Sequence, residues 1–250
     1  MDFVIGFLIA VVIALTGVGA GTITAPLLIL FLKIPVEVAV STALAYSAVV
    51  KLIVVPVQIV RKQVNWKVLG WMVAGGLPGV ILGSLLFRHV AVHGPRSSLY
   101  LTLGAIIIFT SGWHIFRHFK PAAIDRPKKL RPAVLAATML PIGAEVGFSS
   151  SGAGALGTVA LLGLTPLNAT QVVGTDLAFG LVIALAGTGV HFFGGTYNQQ
   201  LLVHMAIGGV VGGIVGSTAA PRIPNRQLRF ALSLWLVVIG AQFWYQAFFK

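Results

Sequence analysis

Thr16-Gly17-Val18-Gly19-Ala20-Gly21-Thr22 interrupts an apolar run that extends from Phe3 to Phe31. A continuous helix over that run would be about 43 Å long, against the roughly 30 Å of a bilayer's hydrocarbon core. Each of the three glycines weakens a helix by about 1 kcal/mol relative to alanine. The stretch therefore reads as a break at which two short helices meet. How the chain leaves that break, onward or back, decides the fold.

Composition says which solvent the chain is built for. Its 250 residues are 57% hydrophobic and 9% charged, with a mean hydropathy of +0.97. A soluble domain carries about 25% charged residues, so this chain lacks the charge to cover a water-facing surface. Six to eight crossings of roughly 20 residues fit its length. The net charge of +12 sits between apolar segments, as in cytoplasmic loops, so nucleic acid is not the expected partner. With no cysteine, disulfides and thiolate metal sites are excluded. Met1-Asp2 leads straight into apolar sequence without the basic start of a signal peptide, so no cleavage is expected.

Further apolar runs lie at about Val36–Val60, Val68–Phe87 and Leu99–Phe116. A polar stretch then holds Arg117, Lys120, Arg126, Lys128, Lys129 and Arg131 with three prolines. Beyond it Pro132–Leu164 is apolar but broken at Ser149-Ser150-Ser151-Gly152-Ala153-Gly154, and runs follow at about Ala169–Phe193, Leu201–Ala220 and Leu228–Phe249. An offset of 133 residues places Gly19-Ala20-Gly21 on Gly152-Ala153-Gly154, Thr42 on Thr175, Asn65 on Asn198, and Gly75, Gly79 and Gly83 on Gly208, Gly212 and Gly216. One offset joining four segments indicates an internal repeat. The expected organisation is a first transmembrane repeat over 1–119, a basic cytoplasmic linker over 120–131 and a second repeat over 132–250. Glycines four apart let helix backbones approach closely, which is a packing role.

The halves have the same orientation if each break belongs to a spanning helix, and opposite orientations if each broken run dips in and returns. Basic residues concentrate on the cytoplasmic side. With the linker inside, inverted halves also put Arg61, Lys62, Lys67, Arg222, Arg226 and Arg229 inside, leaving Lys33, Arg88, Arg96 and Lys250 outside. Parallel halves move Arg222, Arg226 and Arg229 outside and Lys250 inside. The charges favour inversion by a small margin. The expected fold is all-α and membrane-integral. Its two homologous halves are inverted, each with a broken or re-entrant first helix pair plus three full transmembrane helices.

Gly17, Gly19 and Gly21 do not form a dinucleotide fingerprint, because no strand precedes them and the spacing is wrong. A helix restarting at such a break exposes unpaired N–H groups with partial positive charge, which suit an anion. Thr16, Thr22 and Thr24 add hydroxyls, and Ser149, Ser150, Ser151, Gly152 and Gly154 repeat the chemistry in the second half. Two such ends facing each other would make an anion cradle. The plainer alternative is a pair of close-packing kinks.

Ionisable groups in apolar helices cost about 2.5–3.5 kcal/mol at a helix centre. Lys51 and Asp176 occupy corresponding helices. They can form an ion pair across the halves, serve anion attraction and proton exchange, or sit near a span end. Glu145 precedes the serine break and either exchanges protons or caps the packing. His114, His191 and His204 read as interfacial residues near span ends, with Gln58 aligned on His191. Most of the tryptophans and Tyr197 and Tyr245 fall near span ends, as in an aromatic belt. Five acidic residues and the lack of clustered metal ligands leave little room for an enzyme. No Walker A sequence is present, so transport energy would come from a gradient or a partner.

The chain resembles the sulfite exporter TauE/SafE family of membrane transporters. The likeness rests on Leu15-Thr16-Gly17-Val18-Gly19-Ala20-Gly21 followed by Pro26-Leu27-Leu28, on Ala39-Val40-Ser41-Thr42-Ala43-Leu44, on Gly76-x2-Gly79-x3-Gly83, and on Gly152-Ala153-Gly154 with Gly174-Thr175-Asp176-Leu177. It spans nearly the whole chain, and Gly-Val-Gly-Ala-Gly is a mild departure from an all-glycine break. The resemblance implies transport of sulfite, sulfoacetate or a related anion. It also implies that Gly17–Thr22, Ser41-Thr42, Ser149–Gly154 and Thr175 line the path. A multi-pass location in the inner (cytoplasmic) membrane is expected, with a small anionic solute and the lipid bilayer as partners, no cofactor, no metal, and homo-oligomerisation left open. A small-anion channel is the alternative to a carrier.

Overall fold

The computed structural model describes residues 2–16, 20–119, 129–151, 153–192, 198–219 and 225–249. All regular structure among them is helical: α1 (Asp2–Thr16), α2 (Ala20–Leu30), α3 (Val36–Val60), α4 (Trp66–His93), α5 (Arg96–Phe119), α6 (Pro132–Ser149), α7 (Ala153–Leu164), α8 (Ala169–Phe192), α9 (Gln199–Ala219) and α10 (Asn225–Phe249). Six helices, α3, α4, α6, α8, α9 and α10, are long and apolar enough to cross a membrane. α5 has 24 residues, but its described apolar stretch, Ser97–Trp113, is shorter. Leu82, Leu85 and Leu86 on α4, Ile207, Val211 and Ile214 on α9, and Leu234 and Val238 on α10 are exposed. That is costly in water and ordinary in lipid.

Local chemistry sets the helix starts. Asn65 Oδ1 accepts from Val68 N (3.0 Å) and its repeat partner Asn198 Oδ1 from Leu201 N (3.0 Å), each capping an unpaired donor. Pro132 begins α6, where its missing N–H costs nothing. Ser150 adopts a left-handed backbone (φ 61°) and ends that helix.

The repeat seen in the sequence governs the packing across halves. The Cα atoms of Gly75, Gly79 and Gly83 on α4 lie so close to the backbone of Ala136, Leu140 and Ala144 on α6 that side chains there would overlap it. Gly208, Gly212 and Gly216 on α9 do the same against Phe3, Phe7 and Val11 on α1. Every one of these partners is related by the 133-residue offset. In lipid, helices gain little from apolar burial against one another, so close backbone packing of this kind supplies much of the association. Phe179 lies on Gly76, and the equivalent Tyr46 on Gly209.

Both glycine faces run in register, so α4 is parallel to α6 and α9 to α1. α3 and α8 are antiparallel. Ser41 near the start of α3 meets His191 near the end of α8, Lys51 meets Gly180, and Asn65 beyond α3 meets Thr175 near the start of α8. The start of α1 therefore lies at the same end of the bundle as the starts of α3 and α9. Because α2 leads into α3 through residues 31–35, it returns to the end from which α1 set out. By the same reasoning α6 and α7 leave and return at the opposite end. This geometry is compatible with the inverted, re-entrant plan.

The halves are interleaved. One core cluster joins α1, α2, α3, α5, α9 and α10, with Phe87 of α4 and Phe148 of α6. The other joins α3, α4, α6, α7 and α8. Each draws on both repeats, and α3 contributes to both, with Ala43, Tyr46 and Val50 in the first and Leu44, Ala48 and Val55 in the second.

Candidate functional site

The two breaks meet. Gly21, in the first turn of α2, packs so tightly on Ser150 that a Cβ on the glycine would overlap the serine's carbonyl and hydroxyl. Gly17, Gly19 and Gly152 lie outside the described residues, as do the side chain of Thr16 and the Cα surroundings of Gly154. Ser149, Ser150 and Ser151 are buried, as are Thr22 and Thr24.

Ending α6 at Ser149 frees backbone groups, and the serines rearrange them. Ser149 Oγ lies within 2.9 Å of the Glu145 carbonyl and 2.8 Å of Ser151 Oγ, and it accepts the Ser151 N–H at 3.2 Å. Ser151 Oγ donates to Glu145 Oε1 (3.0 Å). Glu145 Oε2 and Ser150 Oγ are buried atoms with no hydrogen-bond partner among the described residues. Glu145 also lines an apolar cavity of about 580 Å³ between α5, α6 and α7, with Phe109, Trp113, Pro141 and Leu156.

The Gly147 carbonyl is a second consequence of the break. The Ser151 N–H that would continue the helix is turned onto Ser149 Oγ instead. Gly147 O accepts from Ser84 Oγ of α4 (3.3 Å) and faces His191 Nε2 of α8 (3.2 Å). The other ring nitrogen, Nδ1, lies 2.8 Å from Ser41 Oγ of α3. His191 is therefore buried, with polar neighbours at both ring nitrogens. It is 6% exposed and stacks on Phe87 of α4, at the junction of four helices. The sequence signal for it was its alignment with Gln58, a polar pair in apolar helices.

Lys51 and Asp176 are both buried, Lys51 in the middle of α3 and Asp176 two turns into α8. Lys51 Nζ donates to Ser47 Oγ (2.9 Å) and to the Gly180 carbonyl (3.3 Å), residues equivalent under the repeat, so the ammonium sits where α3 crosses α8. It interacts electrostatically with Asp176. Asp176 Oδ2 accepts from Thr158 Oγ1 (2.8 Å), and its Oδ1 is pressed against Gly157, which ties α8 to α7. Sequence reasoning had singled out neither Thr158 nor Gly157.

Thr42 and Thr175 do not join the serine cluster. Thr175 Oγ1 accepts the Asn65 N–H (3.0 Å) and Thr42 Oγ1 accepts the Asn198 N–H (3.3 Å). These clips lie at opposite ends of the α3–α8 pair and fasten each half to the other.

A family description, Sulfite exporter TauE/SafE, matches residues 3–243. The chain belongs to this family. A similar TauE/SafE-like sequence is the "Probable membrane transporter protein YjnA" of Bacillus subtilis (strain 168), 28% identical over 249 residues that cover 94% of this chain and 95% of that protein. No solved structure matches. Membership of the TauE/SafE family, together with the apolar helices, makes this a multi-pass membrane protein of transporter type, and the family points away from an enzyme.

Proposed function

We propose that the chain is a secondary transporter that moves a small anion across the cytoplasmic membrane by alternating access. The proposed cargo is sulfite or an organosulfur anion such as sulfoacetate. The observation that carries this reading is the contact of Gly21 with Ser150. It brings the start of α2 against the break that precedes α7. Helix starts offer N–H groups and partial positive charge to an anion. Buried Ser150 Oγ, with no partner among the described residues, is a spare donor there.

Thr16, Gly17, Gly19, Thr22, Gly152 and Gly154 complete the proposed cradle. Ser41, Thr42 and Thr175 act in this reading by holding the surrounding helices. Glu145 and Asp176 are proposed to exchange protons during transport, because buried carboxyls in apolar helices are retained at a cost. The close contact at the breaks and the burial of the serines suit a closed state, from which either side opens by movement of one helix pair.

The test is a binding screen of sulfite, sulfate, thiosulfate, sulfoacetate and small carboxylates on purified protein, followed by flux in proteoliposomes. Saturable uptake with counterflow is expected. Single-channel currents would make the protein a channel, and failure of every anion to bind would end the anion reading.

A further inference from the structure

The partners of His191 differ in kind at its two nitrogens. Nε2 faces the Gly147 carbonyl, which only accepts, so Nε2 holds a proton whatever the charge of the ring. Nδ1 faces Ser41 Oγ at 2.8 Å, and that oxygen also lies 2.8 Å from the Glu37 carbonyl. A hydroxyl has one proton to give. If Ser41 gives it to Nδ1, the ring is neutral. If Ser41 gives it to the Glu37 carbonyl, its oxygen accepts from Nδ1–H and the ring is an imidazolium. Both states satisfy these three hydrogen bonds with the same heavy-atom geometry and differ by one proton and one hydroxyl rotation.

We propose that His191 is the residue through which proton binding biases the position of the α6–α7 break. This rests on the transporter reading above. The ring contacts α3 through Ser41, α4 through Phe87 (5.4 Å between centroids) and α6 through Gly147, two residues before Ser149. Phe87 in turn meets Phe148 edge-on at 5.5 Å. A change in ring charge therefore acts directly on the end of α6. Glu37 lines a cavity of about 400 Å³ with Lys33, Tyr100 and Gln246, where the α2–α3 turn meets α5 and α10.

The other charged or titratable groups on the helices around the ring are Glu37, Tyr46 and Lys51 on α3, Lys67, Arg88, His89 and His93 on α4, Glu145 on α6 and Asp176 on α8 itself, while described α7 has none. None of them hydrogen-bonds to the ring. The repeat gives this device its direction. Two identical inverted halves would make the two facing states equal in energy. His191 is matched in the other half by Gln58, which cannot ionise, so protonation acts on one half and shifts the balance between states.

The test is sulfite flux by the full-length protein in proteoliposomes between about pH 5 and 8, the window in which histidine titrates. His191→Gln keeps a donor for Gly147 and an acceptor for Ser41 but cannot ionise. The ratio of wild-type to variant flux at equal pH is expected to change about tenfold over that window, with sulfite affinity within about threefold. Comparison at equal pH cancels the ionisation of sulfite itself. Ser41→Ala is the second variant. It leaves the ring in place but removes the acceptor that the imidazolium needs, so its profile moves to lower pH. Wild-type profiles in both variants, or in Ser41→Ala should His191→Gln not fold, would overturn the assignment. Absence of flux or binding in the wild type is a different result and would count against the transporter reading instead.

Discussion

Gly21 and Ser150, 129 positions apart in the chain, are in backbone contact at the point where the breaks of the two repeats meet. The glycine lies in the first turn of α2 and the serine, in a left-handed conformation, ends α6. Nothing larger than hydrogen fits on the glycine without moving one helix pair.

That contact predicts that Gly21→Val blocks transport. Forcing extra methyl groups into a packed site costs about 1–3 kcal/mol, so anion affinity and flux are expected to fall by about tenfold or more. Membrane insertion and yield stay near wild type. Wild-type flux in Gly21→Val would remove the cradle from consideration.

The glycine faces predict a contrast between neighbours. Gly212 packs on the Phe7 backbone, whereas nothing lies near a Cβ on Gly213. Gly213→Ala should raise stability by up to about 1 kcal/mol through helix propensity alone. Gly212→Ala should lower it by about 1–3 kcal/mol through overpacking. Thermal unfolding of the two variants in detergent reads the difference, and equal melting temperatures would contradict the close approach of α9 and α1.

The reciprocal clips predict matching losses. Thr175→Val and Thr42→Val each leave a backbone N–H, of Asn65 and Asn198 respectively, without its hydroxyl acceptor. Each should cost about 1–3 kcal/mol. Because the clips sit at opposite ends of the α3–α8 pair, their effects should add. A double variant no less stable than either single one would mean that the clips are not independent fasteners.

The buried charges predict coupling. Lys51→Met removes the positive charge that acts electrostatically on buried Asp176 and should lower stability. Asp176→Asn in that background should recover part of the loss. A double-mutant cycle on melting free energy measures this, and strict additivity would show that the two charges act separately.

The break, the repeat and the glycine faces were legible in the sequence because each is a local pattern. A helix cannot absorb Gly17, Gly19 and Gly21 cheaply, and glycines four apart fall on one face whatever they touch. The buried place of His191 was not legible. Its partner is the Gly147 carbonyl, an acceptor freed only because α6 stops at Ser149, and no side-chain pattern marks an orphaned carbonyl. Thr42 and Thr175 stood out by their place in the repeat, yet their hydroxyls fasten backbone N–H groups of the opposite half, away from the serine cluster.

By itself the sequence determined that the chain is apolar enough for a membrane, that it is twofold in plan, and that each half opens with an interrupted helix. Composition and period alone dictate these, through the cost of exposing or burying each residue type. Only the tertiary structure decided that the repeats interleave, that α3 and α8 oppose each other, and that Gly21 reaches Ser150. Those outcomes depend on which backbones can approach across more than a hundred residues of chain, a matter of shape complementarity between distant helices that no local pattern records.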